Sequence, residues 1–407
     1  MKLNAYKLPI FNVSSTHNCY GCGVCSTVCP QKIISITLNK NGFYEPHIIE
    51  PDKCIKCKLC LDVCAFNYSG RALKDPKMKS WAAWSNNREI RQKCSSGGIG
   101  FEIGKQLIEQ GYHAVGCRYN IKQQRAEHYI ATSVEEFVQS IGSKYIQSYT
   151  EQAFKQILRK GQKYLIIGTP CQIDSFRRMI QKFHCCDNFI LMDFFCHSVP
   201  SMWAWKAYIK MLEPQIGRIT YASWRNKFTY GWHDSWLMGV DGEKTSKPVD
   251  WQESFSSLIK EKNTFIQSRM TKGDLFYKFF LGDFYSGPQC EKKCKYKYDC
   301  SSADIRIGDL WGETYKNDDK GVSALVTFTD KGLEIVKSLQ GVTLIEHPFY
   351  IVAEGQMREN IKPSRQYKII KWLLRREFNL SSHMWNLILK IDSAFYKILK
   401  RTKKILR

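Results

Sequence analysis

Several ordinary features are missing from this 407-residue chain, and each absence removes a class of explanation. Residues 1–18 contain no apolar core of the length that a secretory leader needs. No run approaches the roughly 18 uninterrupted apolar residues of a membrane-spanning helix. No G-x-G-x-x-G fingerprint occurs, so a Rossmann-type nicotinamide site is not supported. No internal repeat appears beyond one pair of cysteine runs. Acidic residues are scarce, with 38 Asp and Glu against 61 Lys and Arg and a formal net charge of +23. That balance suits nucleic acid, an anionic membrane surface or an acidic redox partner. What remains has ordinary hydrophobic content and is long enough for two or three cores. The cytoplasm is the expected compartment, with the inner membrane surface as a possible peripheral location.

Cysteine is abundant by contrast, with 17 residues. Without an export signal, metal ligation is a better expectation than disulfides. Eight cysteines form two runs, Cys19, Cys22, Cys25, Cys29 and Cys54, Cys57, Cys60, Cys64. Each run reads C-x2-C-x2-C-x3-C, the spacing of a bacterial ferredoxin with two 4Fe–4S clusters. In that arrangement the fourth cysteine of each run serves the other cluster. One cluster then takes Cys19, Cys22, Cys25 and Cys64, the other Cys29, Cys54, Cys57 and Cys60. Structural zinc, the alternative, normally shows C-x2-C pairs across a longer loop. Between the runs, an Asn41-Gly42 turn between two β-rich stretches predicts a hairpin.

Beyond the linker at residues 71–76, helix-then-strand alternation predicts an α/β body. Strands are expected near Phe189–Phe195, Ile219–Trp224 and Ala324–Phe328. The fold class is therefore α+β: a ferredoxin domain (1–75), an α/β domain (76–168), a second mixed domain (169–340) and a basic, helical, amphipathic tail (341–407). From Lys362 onward, 13 Lys and Arg face 2 acids. Such a tail suits an anionic membrane surface, or a helix packed on the core with a solvated basic face. Nucleic acid is less favoured, because no recognised nucleic-acid fold accompanies it.

Cys171, Cys196, Cys290 and Cys294 sit at strand ends or loops and are the ligand set for a third cluster, with Cys300 and Cys94 as substitutes. Buried structural thiols are the alternative. Ser95-Ser96-Gly97-Gly98 precedes a predicted helix, and Gly142-Ser143-Lys144-Tyr145 adds a cation and a ring. Both suit a phosphate or an aromatic ligand, and both also read as a helix cap and a solvated turn.

In order, the cysteine runs, SSGG, GSKY, GTPCQ, FFCHSVPS, SWRNK and C-x3-C…ADIRIGDLWG resemble the coenzyme F420 hydrogenase/dehydrogenase beta-subunit family from about Asn18 to about Leu339. The resemblance implies an iron–sulfur flavoprotein oxidoreductase that binds FAD. It implies that Ser96, Gly97, Gly98, Ser143, Lys144 and Tyr145 line the flavin, and it strengthens the third cluster. His197 becomes the expected proton donor, or a residue that orients the Cys196 loop. Expected partners are a redox protein or an F420-like small molecule, with polysaccharide biosynthesis as a further setting. The alternatives are a non-catalytic electron-transfer subunit that docks a partner enzyme, and an assembly partner whose metals are structural.

Overall fold

The computed structural model describes residues 11–227, 229–244, 266–376 and 383–389. Its cysteine-rich start contains the hairpin β1 (Ile34–Leu38) and β2 (Tyr44–Ile48), paired antiparallel with Ile34 opposite Ile48. Asn39 Oδ1 accepts the N–H groups of Asn41 and Phe43 at 2.8 and 3.2 Å, which folds the turn. Gly42 takes φ +76°, and a side chain there would strike Ser201 and Trp203. The turn therefore rests on the start of the Met202–Ile216 helix.

The body is built on one eight-stranded sheet. Its strands are β3 (Lys79–Ser85), β4 (His113–Asn120), β5 (Arg125–Ala131), β6 (Tyr164–Ile167) and β7 (Phe189–Phe194), then β11 (Ile305–Asp309), β12 (Ser323–Thr327) and β13 (Val342–Glu346). Between them in the chain, β8 (Ile219–Ser223), β9 (Leu237–Gly242) and β10 (Ile266–Arg269) form a separate antiparallel sheet. The large sheet runs β13-β3-β12-β11-β7-β6-β4-β5. Its centre, β4-β6-β7-β11, is parallel, and its flanks are antiparallel.

The sheet draws strands from both sides of residue 168, so that position is a loop within one body. The basic tail expected from residue 341 does not begin there: β13 pairs with β3 along the sheet edge. Further on, Ile370, Leu373 and Leu374 of the Tyr367–Arg375 helix are buried, as are Trp385 and Leu389. This described part of the tail packs on the core. The final basic cluster, 397–407, lies outside the described residues. Among the described residues, no helix is long and apolar enough to cross a membrane.

Helices cover both sheet faces. The Ile99–Glu109 helix starts at Gly98, whose φ of +87° suits glycine, and buries the i, i+4 stripe Ile99, Ile103 and Leu107. On the opposite face lies the Pro170–Lys182 helix. Proline at its first position and Gln172 Oε1 accepting the Thr169 N–H at 2.8 Å start it cleanly. Ile173, Phe176, Met179 and Ile180 are fully buried against the sheet, each contributing about 1.5–3 kcal/mol of transfer free energy. Val24, Val28 and Val63 of the cysteine-rich module enter this same cluster. The module is thus fused to the body through shared apolar packing.

Asp174, on that helix and fully buried, joins three distant segments. Its carboxylate accepts the Ala72 N–H at 2.6 Å, the Tyr296 hydroxyl at 2.9 Å and the Ser302 hydroxyl. Replacing it with Ala would leave these buried donors without their acceptor, at about 1–3 kcal/mol each. We expect Asp174→Ala to lower urea-unfolding stability by about 3 kcal/mol or more. A loss below about 1 kcal/mol would show that water or relaxation replaces the carboxylate.

Candidate redox site

The crossed cysteine sets converge on two separate hollows. One is lined by Cys19, Cys22, Cys25 and Cys64 with Tyr20, Gly21, Gly23 and Phe66. The other is lined by Cys29, Cys54, Cys57 and Cys60 with Ile34, Ile48 and Ile55. Gly21 and Gly23 have φ of +64° and +79°, and a side chain at either would strike Tyr44 or Thr150. Glycine is therefore required for the loop to turn around its hollow. The hollows differ in exposure: all four thiols of the first are buried, whereas Cys57 of the second is exposed.

Burial pushes the Cys60 thiol up to about 11 and Cys64 up to about 12, with neighbouring cysteines adding to both. Such thiols keep their protons at neutral pH until a metal centre takes the place of the proton. Four thiols around one apolar hollow are the donor set of a 4Fe–4S cubane. No group of three or more His, Cys, Asp or Glu among the described residues meets single-ion spacing. A cubane does not need that spacing, because its bulk stands between the sulfurs.

Parallel strands place the next group. Because β6, β7 and β11 run side by side in one direction, the residues after them fall on one sheet edge. Cys171 follows β6, Cys196 and His197 follow β7, and Asp309 ends β11. Burial holds the Cys171 thiol well up; Thr169 Oγ1, 3.2 Å away, opposes this, while Cys196, Cys290 and Cys22 reinforce it. Burial likewise takes Cys290 up to about 12, reinforced by Cys196 and Cys294. Cys171, Cys196, Cys290 and Cys294 thus form a neighbourhood beside the first hollow. Cys300 instead lies by Asp299, and Cys94 by Lys227 and Glu102. Tyr20 bridges the two groups: it lines the first hollow, and its hydroxyl donates to the carbonyl of Lys293, next to Cys294.

His197 directly follows Cys196 in the chain. Its Nε2 is 3.3 Å from Asp283 Oδ1, and its ring meets Phe280 edge-on at 5.0 Å. Phe280 stacks on Tyr145 at 4.9 Å, and Tyr145 on Trp236 at 5.0 Å. The two polar loops also meet, since the Ser143 N–H donates to Ser95 Oγ at 3.0 Å. Arg225 ties them together. It donates to the Ser95 carbonyl at 3.1 Å, to Tyr145 Oη at 3.2 Å and to both oxygens of Asp309. Its guanidinium lies 5.0 and 5.2 Å from the rings of Trp236 and Trp311. Lys227 donates to the carbonyls of Arg91, Ser96 and Lys320.

The family comparison agrees with this arrangement of modules. The beta-subunit N-terminal region of coenzyme F420 hydrogenase/dehydrogenase matches residues 80–155, and its C-terminal region matches 161–347. A 4Fe-4S dicluster domain matches 18–68. The chain belongs to the coenzyme F420 hydrogenase/dehydrogenase beta-subunit family. An uncharacterised protein of Methanocaldococcus jannaschii is 24% identical over 224 residues, covering 47% of this chain and 60% of that protein. The chain therefore matches less than two thirds of that relative's length. A chain of the F420-reducing [NiFe] hydrogenase complex from Methanosarcina barkeri is 16% identical, covers 76% of this chain and 91% of its own, and superposes with a TM-score of 0.43. A likeness that low carries no argument. Membership makes this an iron–sulfur chain of an oxidoreductase family.

A flavin dinucleotide needs cations and free N–H groups for its pyrophosphate and an aromatic surface for its ring. Cations, a helix start and rings stand near the 95–98 turn, but the cations are engaged: Lys227 Nζ donates to three carbonyls, and the Arg225 and Arg91 guanidiniums pair with Asp309 and Asp318. The Ile99–Glu109 helix starts at this turn, and Trp236 and Trp311 flank Arg225. Two expected residues do not offer free groups to it. Lys144 Nζ turns inward onto the carbonyls of Gln139, Ser140 and Ile141 at 2.9–3.1 Å, and the Tyr145 ring is engaged by Trp236 and Phe280. Gly97 is pressed against Ala83 and Ser323, and the Ser96 hydroxyl donates to the Val322 carbonyl at 2.7 Å. Sequence reasoning did not pick out Trp236, Phe280 or Asp283, since only the fold brings them to the loops.

Burial pulls Lys144 down from 10.5 to about 8, against Cys117 and Cys94. Between those values the unfolded chain binds the extra proton, so the stability linked to Lys144 rises with pH. Comparing wild type with Lys144→Met by urea unfolding, we expect the wild-type advantage to grow by up to about 2 kcal/mol from about pH 7.5 to about pH 9.5. A difference independent of pH would mean that Lys144 is solvated.

Proposed function

We propose that this chain is an oxidoreductase that moves single electrons between a surface port and an organic hydride carrier of flavin or deazaflavin type. Cys19, Cys22, Cys25 and Cys64 hold one 4Fe–4S cluster, and Cys29, Cys54, Cys57 and Cys60 hold a second. Cys171, Cys196, Cys290 and Cys294 hold a third. The observation that carries this reading is continuity: Tyr20 joins the first hollow to the carbonyl beside Cys294, and His197 adjoins Cys196 in the chain.

FAD, when bound, supplies the exchange between hydride and single electrons. The chain's own residues bind and orient. The turn of Ser96, Gly97 and Gly98 takes its pyrophosphate, Arg225 and Lys227 order that turn through the Ser95 and Ser96 carbonyls, and Ser143 holds it through Ser95. Lys144 and Tyr145 act from behind, as a carbonyl clamp and a ring support. His197, whose buried Nε2 makes no hydrogen bond among the described residues and lies 3.3 Å from Asp283, moves a proton at that atom. The substrate class is F420 or another organic hydride acceptor, with an intermediate of polysaccharide biosynthesis as one form. Exposed Ile369 and Trp372 beside Lys368 and Lys371 support peripheral contact with an anionic membrane.

A second reading, a non-catalytic electron-transfer subunit docking a partner enzyme, draws on the committed groups of Lys144 and Tyr145. Anaerobic quantification of iron, sulfide and flavin separates the two. About twelve irons and one FAD per chain are expected. About eight irons without flavin would remove both the inner cluster and the enzyme. Cys171→Ser should lower iron by about four while leaving the dicluster signals in electron paramagnetic resonance. Unchanged iron in that variant would sink the inner centre.

A further inference from the structure

We propose, resting on the cluster assignment above, that the rim of the second hollow is the docking face for an acidic one-electron carrier protein. Electron tunnelling weakens steeply with distance, so a partner has to approach a cluster closely. Only one of the two hollows permits this. The first is enclosed by four buried thiols, whereas Cys57 of the second is exposed to solvent. Ile55, 60% exposed, lines this hollow with Cys57, and Ile49, 53% exposed, follows the lining Ile48 in the chain. Exposed Lys58 also lines it, exposed Lys56 precedes Cys57, and exposed Lys32 lies between the lining Gln31 and Ile33; none has a carboxylate partner within ion-pair distance among the described residues. The rim also holds Glu50, which is paired with Lys53, and Asp52.

An apolar centre ringed by lysines fits a small, transient interface in which charge steers the encounter and apolar contact supplies close approach. The occupant is acidic and is not a second copy of this chain, because the formal charge of +23 makes like-charge repulsion oppose self-association. The carrier passes one electron to the second cluster, which is reduced as the carrier is oxidised, and no bond is made or broken.

The test uses the full chain with its clusters, under anaerobic stopped flow. Reduction by an acidic flavodoxin hydroquinone is followed beside reduction by photoreduced 5-deazariboflavin, which is small and uncharged. With flavodoxin, the wild-type rate constant is expected to fall steeply as salt rises. The triple variant Lys32→Glu, Lys56→Glu, Lys58→Glu should be slower by about tenfold or more at low salt. Its reduction by the small reductant should be unchanged. Should that variant lose iron, the Gln triple variant, which removes charge without adding any, gives the same comparison with a smaller effect.

Rates with flavodoxin that are indifferent to salt and to the lysines overturn the docking face, as does a concentration-dependent dimer formed through it. Iron and sulfide in the same preparations distinguish the failures. With clusters present, only the docking face falls; without them, the cluster assignment itself falls.

Discussion

A single buried carboxylate governs how the parts of this protein meet. Asp174 is fully buried, and a charge in that position persists only if donors surround it. The donors come from the linker after the cysteine-rich module, from Tyr296 just after Cys294, and from Ser302 on the approach to β11. One residue along the helix, Ser175 accepts the Ala65 N–H at 3.1 Å, beside Cys64, and lies 3.4 Å from Cys22 Sγ. Cys171 lies one turn earlier on the same helix. The Pro170–Lys182 helix is thus the common support from which the first hollow and the inner four cysteines are both positioned.

This support explains why the site is ordered around its thiols. Pairing of Arg306 with Asp193, both fully buried, holds the approach to β11 while the guanidinium also donates to the carbonyls of Tyr298 and Cys300. Lys297 donates to the Cys196 carbonyl at 2.8 Å and to that of His197. The segments of Cys196 and Cys300 are therefore each fixed by a charge-assisted bond to a carbonyl. Rigid placement matters for electron transfer, because a centre that shifts changes both its distance to the next and its local field.

The part most legible in the sequence was the part set by short-range spacing. The two cysteine runs and the Asn41-Gly42 turn each lie within a few dozen residues, and the hollows group the thiols as the crossed pattern implies. The helix start at Gly98 was equally local. What spacing could not reveal depends on pairing over long separations. β3 enters the sheet between β12 and β13, more than 200 residues away. That pairing carries the body past residue 340. Lys144 and Tyr145 were read as a cation and a ring for a ligand because the local pattern is a loop; the ring partners of Tyr145, Trp236 and Phe280, arrive from distant segments, and Lys144 turns back onto its own loop's carbonyls. Asp174 had no signal at all, for a lone aspartate on an amphipathic helix looks like a solvated residue until the linker folds over it.

The valines at 24, 28 and 63 share one core with Phe154 and Phe176 of the body. In a free ferredoxin the corresponding surface must remain compatible with water, and it can be exchanged between enzymes as a separate gene. Here it has become interior. A change of volume at any of these three positions is felt by residues more than 100 positions away, so drift on one side of the seam requires an answering change on the other. The electron carrier and the body it serves are inherited, and must diverge, as one unit.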